Sequence, residues 1–224
     1  MTAPFLSDFD DRRRQVRHYL AVVLAAEKAA ALGSGKRSHE RRLLTLRAGT
    51  FLLLYNLIEA TTRGAVEAIH DSITSANVPF GSLTVELRRE VIKGFKVAAD
   101  PDVHHTIPDI AAGFVGIAFE KDVEFAGNVD ARLIRKLGAS YGFSCDTAKE
   151  QTWGGVDLLT IKERRNALAH GDQTFEEVGR DYPSRELVAL SRRATCFMKD
   201  ILENVAAYLE AGCYLEGLAK WDAT

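Results

Sequence analysis

This chain is short of cysteine, short of proline and without a surplus of either charge, and each shortage closes off a class of protein. Cys145, Cys196 and Cys213 are far apart, odd in number and form no Cys-x-x-Cys pair. Neither a disulfide framework nor a zinc site is expected from them, and free thiols fit the reducing cytoplasm. Only 5 prolines interrupt 224 residues; with a composition rich in Ala, Leu, Glu and Arg, this points to helices. The 29 basic and 31 acidic residues give a formal net charge of −2. That argues against a general nucleic-acid coat protein, which would be plainly basic. It leaves room for an enzyme that grips a few phosphates locally. The N-terminal segment, with Asp8, Asp10 and Asp11 ahead of a basic run, does not resemble a signal peptide. The longest apolar run, from Thr50 onward, is broken by Asn56 and Glu59, so no membrane span is expected. Repeats and low-complexity tracts are absent, and no carboxylate cluster suggests a metal or other cofactor.

What is present is a hydrophobic fraction of 46%, ample for a core. The length fits a single helical domain over residues 1–224. A first helix is expected from Ser7 to about Ala31, capped by Ser7 or Asp8 and closed by Gly33-Ser34-Gly35. A second runs from about His39 to Ser75, with Leu43, Leu46, Thr50, Leu53, Leu54, Leu57 and Ile58 on one face; Gly49 or Gly64 is a candidate kink. After a turn at Asn77 to Gly81, a helix is expected from Leu83 to about Ala98. Residues 99–108 read as a loop, and Ile110 to Phe119 as helix or strand. A helix capped by Asn128 or Asp130 should reach Tyr141. Another spans Asp157 to Ala169, stopped at Gly171. Thr174 to Pro183 reads as a loop or single turn, and a last long helix runs from Ser184 to about Tyr214. The expected fold is an all-α bundle, with two long helices and several short ones.

The most informative segment is Glu163-Arg164-Arg165-Asn166-Ala167-Leu168-Ala169-His170-Gly171-Asp172. An arginine can hold a phosphate, and an imidazole can move a proton near neutral pH. Together they are a minimum set for cutting RNA without a metal. Arg165 and His170 are five apart, about 140° around an ideal helix, so they do not share a face; Asn166 and His170 do. Either the helix loosens near Gly171, or a second copy of the chain supplies the missing group across a two-fold axis. The bare spacing proves little. With 19 Arg and 6 His in 224 residues it arises by chance about once in two such chains, and Arg13 and His18 reproduce it.

The wider pattern carries more. Arg165-Asn166-Ala167-Leu168-Ala169-His170-Gly171 resembles the signature of the HEPN superfamily. Leu46 to Glu59, Gly127 to Arg132, Tyr141-Gly142-Phe143 and Phe175 to Tyr182 are similar to blocks of its stand-alone bacterial MAE-like branch. The resemblance covers about residues 40 to 210. It implies a helical bundle, a homodimer with facing motifs, and metal-independent endoribonuclease activity in toxin–antitoxin or other defence systems. RNA is then the substrate, a cognate antitoxin or defence protein a further partner, and Arg165 and His170 the catalytic pair, with Asn166 beside them. HEPN toxins controlled by a nucleotidyltransferase antitoxin usually carry a tyrosine two residues after the histidine. Here that position is Asp172, which argues against control by tyrosine modification.

Tyr55, Glu59, Arg63, Arg164 and Asp172 are candidates for the cleft wall or its support. For Glu59 and Arg63, one turn apart, an ion pair within the helix is the default. His104-His105 lacks the companions of a metal site. Arg12-Arg13-Arg14 and Arg17, with Lys36-Arg37 and Arg41-Arg42, read first as a solvated face and second as a phosphate track. Trp153 reads first as a loop residue anchored in the core and second as a base-stacking platform. The rival to the enzyme is an inactive HEPN-like module for dimerisation or for binding RNA or a partner.

Overall fold

A computed structural model describes residues 3–32, 37–98 and 128–217. The expected break at Gly33 to Gly35, the loop at 99–108, the apolar stretch at 110–119 and the pair His104-His105 lie outside the described residues. Those described are all-α, with helices α1 (Pro4–Leu32), α2 (Arg37–Ser75), α3 (Val85–Ala98), α4 (Ala131–Tyr141), α5 (Lys149–Thr152), α6 (Val156–His170), α7 (Phe175–Asp181) and α8 (Ser184–Glu210). Single 3-10 turns occupy Phe80–Ser82 and Trp153–Gly155. The chain divides into two compact units: Met1–Thr61, Gly127–Ala131 and Thr147–Lys199 form the first, and Thr62–Ala126, Arg132–Asp146 and Asp200–Thr224 the second.

In the first unit, α1 starts at Pro4 rather than at Ser7. Proline suits a first helical turn, because its missing N–H would have no helical partner there. Asp8 is therefore not a cap; it pairs with Arg12 one turn on, at 2.8 Å. Arg13 pairs with Asp10 at 2.9 Å and Arg14 with Asp11. The basic run is thus interleaved with its own counter-charges, and Arg12 also donates to Asn56 Oδ1 of α2 at 2.9 Å. Phe9, Val16, Leu20 and Val23 turn inward. Tyr19 donates to the Leu46 carbonyl of α2 at 2.9 Å, and Arg47 of α2 reaches both Glu27 and the buried Ser184, the latter at 3.0 Å. Phe51, Leu54, Leu57 and Ile58 are at most 1% exposed, each burial contributing about 1.5–3 kcal/mol. Gly49 and Gly64 lie within α2 without ending it. A stretch of α2 is long and apolar enough to cross a bilayer, contrary to expectation, but 56% of it is buried inside the protein. That marks it as a core helix.

The segment expected as a loop or single turn after the motif is the seven-residue helix α7. Thr174 accepts from the Glu177 N–H at 3.2 Å while the Glu177 carboxylate accepts from the Thr174 N–H at 2.7 Å, a reciprocal cap that satisfies two orphan donors. Gly179 seats α7 on α2: a Cβ there would lie 2.0 Å from the Leu44 carbonyl oxygen. Phe51 also meets Tyr182 edge-on, with ring centroids 4.8 Å apart.

In the second unit, Ala65, Val66, Ile69 and Ile73 of α2, Leu87 and Val91 of α3, Ile134 of α4 and Ile201, Leu202 and Val205 of α8 are buried. His70 is buried with them, its Nε2 3.1 Å from the Tyr141 hydroxyl. Burial pushes the imidazole down to about 3, so the ring is neutral. Helix α8 stops at Glu210, four residues short of the expected end. The chain then turns back, and Leu215 forms an isolated antiparallel bridge with Leu83.

Candidate functional site

Helix α6 carries the motif. It begins after Gly155 and ends at His170, where Gly171 takes the left-handed conformation with φ 77°. Only glycine enters that region without strain, which fixes the stop one residue after the imidazole. The helix does not loosen before His170. Arg165 and His170 therefore keep the offset of about 140°, with an axial separation of about 7.5 Å. His170 and Asp172 are exposed, and neither side chain makes a hydrogen bond or ion pair among the described residues.

Arg165 is held from two directions. Its guanidinium lies over the Tyr55 ring, 4.5 Å from the centroid, and Nη1 donates to Asn166 Oδ1 at 2.8 Å. A cation over an aromatic face is attracted by the ring quadrupole. No carboxylate pairs with Arg165 among the described residues, so its charge is braced but not neutralised. Tyr55 is itself fixed. Its hydroxyl accepts from the Val129 N–H at 3.0 Å and donates to the Glu59 carboxylate. Burial first, then Glu59, pushes the phenol up to about 12, with Val129 and Arg165 acting the other way. It stays protonated and serves as a donor at neutral pH.

Of the residues singled out in the sequence, Tyr55, Glu59, Arg165 and Asn166 are thus brought together. Arg63, one turn beyond Glu59, is exposed and belongs to the second unit. Arg164 serves the turn that follows the motif: Nη1 donates to Gln173 Oε1 at 2.7 Å, and the Gln173 N–H donates to the Ala167 carbonyl at 3.3 Å. Arg164 Nε is buried without a hydrogen-bond partner among the described residues.

Two supports have no local sequence signal. Asp130, expected first as a helix cap and second as a dimer or partner contact, precedes α4 and pairs with Lys162 of α6 at 2.5 Å. Both side chains are largely buried, so the pair ties the 128–130 segment to the motif helix. At the other end of α6, the buried Asp157 accepts from Arg193 Nε at 2.5 Å and Nη2 at 3.0 Å. The same guanidinium covers Trp153, 3.7 Å from the ring centroid. Trp153 is not anchored in the core: it is 58% exposed. Its backbone is left-handed, with φ 48°. No group of three or more His, Cys, Asp or Glu side chains able to hold a metal ion occurs among the described residues.

No curated protein and no solved structure matches the chain. A family model for the MAE-like HEPN branch matches residues 1–214. HEPN domains are often ribonucleases and commonly bind RNA and dimerise. The all-α fold, the motif on α6 and a match over nearly the whole chain agree, and this protein belongs to the HEPN superfamily.

Proposed function

We propose that this protein is a metal-independent endoribonuclease of the toxin–antitoxin or phage-defence type, working as a cytoplasmic homodimer. The observation that carries the reading is Arg165: a guanidinium stacked on Tyr55, held by Asn166 and paired with no carboxylate among the described residues. Such a group is preorganised for phosphate at little further entropic cost. The 2′-hydroxyl of the RNA attacks the adjacent phosphorus, losing its proton to a base. The bond to the 5′-oxygen breaks, and that oxygen takes up a proton. The products are a cyclic phosphate and a free 5′-hydroxyl. His170 handles these protons, and Arg165 stabilises charge on the equatorial oxygens.

The angular offset within one regular helix supports a composite site. In it, His170 residues of two copies meet across a two-fold axis, one taking and one giving the proton. Asn166 orients Arg165, while Tyr55 and Glu59 stand behind it. Purified protein is expected to cut RNA in the presence of EDTA, and His170→Ala to abolish cutting while keeping the helical circular-dichroism spectrum and melting temperature. Equal cutting by that variant would overturn the assignment. A folded dimer that cuts no RNA would point instead to an inactive dimerisation or binding module.

A further inference from the structure

About 20 Å along α6 from His170, at the opposite end of that helix, the first unit carries a second constellation suited to nucleic acid. Trp153 stands out at 58% exposure on a left-handed residue, a placement that hydrophobic burial alone does not favour. Arg193 backs one face of the indole at 3.7 Å and is itself locked by two hydrogen bonds to the buried Asp157. The indole is therefore a fixed plate rather than a mobile side chain. Arg193 also lines a surface groove of about 450 Å³. One wall of the groove is a stripe of α8 at spacings of three and four that carries Arg185, Val188 and Arg192. Arg185 and Arg192 are exposed, and neither guanidinium makes an ion pair among the described residues. Glu150 lines the groove as well. With Arg193 paired to Asp157, the lining leaves Arg185 and Arg192 facing the Glu150 carboxylate, while Glu186 lies near enough to act on Arg193.

An exposed aromatic plate beside uncommitted guanidinium groups is the chemistry that holds single strands: bases stack on the ring, and phosphates meet the cations. We propose that this groove, with Trp153 joined to it through Arg193 rather than lining it, is a binding subsite for a single-stranded RNA segment, with a base on Trp153 and its flanking phosphates on Arg185 and Arg192. The subsite rests on the RNA-cleaving reading and places part of the substrate well away from the cut bond. It would select unpaired RNA, because a base inside a duplex has no free face to offer.

The test uses the full chain carrying Trp221→Phe, so that Trp153 is the sole tryptophan. The probe is an RNA of about ten nucleotides, within the range of known single-strand site sizes. Every 2′-hydroxyl is methylated, which prevents cleavage by 2′-hydroxyl attack. Saturable quenching of Trp153 fluorescence is expected. By anisotropy of the labelled RNA, Trp153→Ala should bind about tenfold more weakly. The double variant Arg185→Gln/Arg192→Gln should lower the slope of log affinity against log salt by about two. Absence of quenching, or unchanged affinity in both variants, overturns the subsite even where ordinary RNA is still cut. Equally tight binding of AMP alone also overturns it, in favour of a free-nucleotide site. Quenching with the expected losses, in a protein that cuts no RNA, keeps the subsite and sinks the nuclease reading instead.

Discussion

Two arginines of this protein lie over aromatic rings, and they are used in opposite ways. Arg193 sits on Trp153 with both arms of its fork on the Asp157 carboxylate. Its charge is neutralised within the fold, and its role is to hold parts together. Arg165 sits on Tyr55 with a neutral amide as its hydrogen-bond partner. A carboxylate would have neutralised it, whereas an amide and a ring fix its position and leave the charge for something else. The contrast teaches how to separate structural from functional arginines: stacking alone does not distinguish them, but the formal charge of the remaining partners does.

Lysine substitution should separate the two most strongly. Arg165→Lys keeps the charge but loses the planar fork, and RNA cleavage is expected to fall by about 10²–10³-fold with little change in melting temperature. Arg193→Lys should lower the melting temperature and leave cleavage within a few-fold for an RNA too short to reach the Trp153 groove. Similar cleavage losses in both would erase the distinction. Next in size is Asp157→Asn, which gives Arg193 the kind of partner that Arg165 has. A loss of about 2 kcal/mol is expected in urea denaturation, less than for a fully buried pair because Arg193 can reach water. Asn166→Asp is the converse exchange. Pairing Arg165 with a carboxylate should lower kcat/KM by about tenfold, about 1.4 kcal/mol of transition-state stabilisation. Smallest is Tyr55→Phe, which keeps the ring under Arg165 but gives up the bonds to Val129 and Glu59. A two- to five-fold loss in kcat is expected, against about tenfold for Tyr55→Leu, which also removes the cation–ring contact. Equal effects of the two would show that the ring does not position Arg165.

These contrasts also explain which parts could be read from the sequence. Helix α6 and its end were visible because they depend on local chemistry: apolar residues at helical spacing and a glycine where the left-handed residue belongs. The same holds for α2 and for most of α1 and α8. Helix α7 was missed although Thr174 and Glu177 form a capping box, because so short a helix is marginal alone and gains its stability from Gly179 on Leu44. Trp153 likewise gave no local hint of its partner, because the guanidinium that covers its ring comes from Arg193 of α8. Tyr55 and Glu59 could be marked as polar residues in an apolar helix. Nothing in the order of residues says that Arg165 lies on the first of them, or that the backbone of Val129 holds it in place.

The seat of Gly179 on Leu44 has a consequence for the motif. Residues 171–174 form a short tether whose one end is α6 and whose other end is α7, clamped by that contact. Amide exchange at the C-terminal turn of α6 should therefore follow the opening of α7 rather than ordinary end-fraying. The order of His170 is then expected to depend on a contact nine residues away, at a position where a Cβ would meet the Leu44 carbonyl, as well as on the Gln173 bonds back to α6.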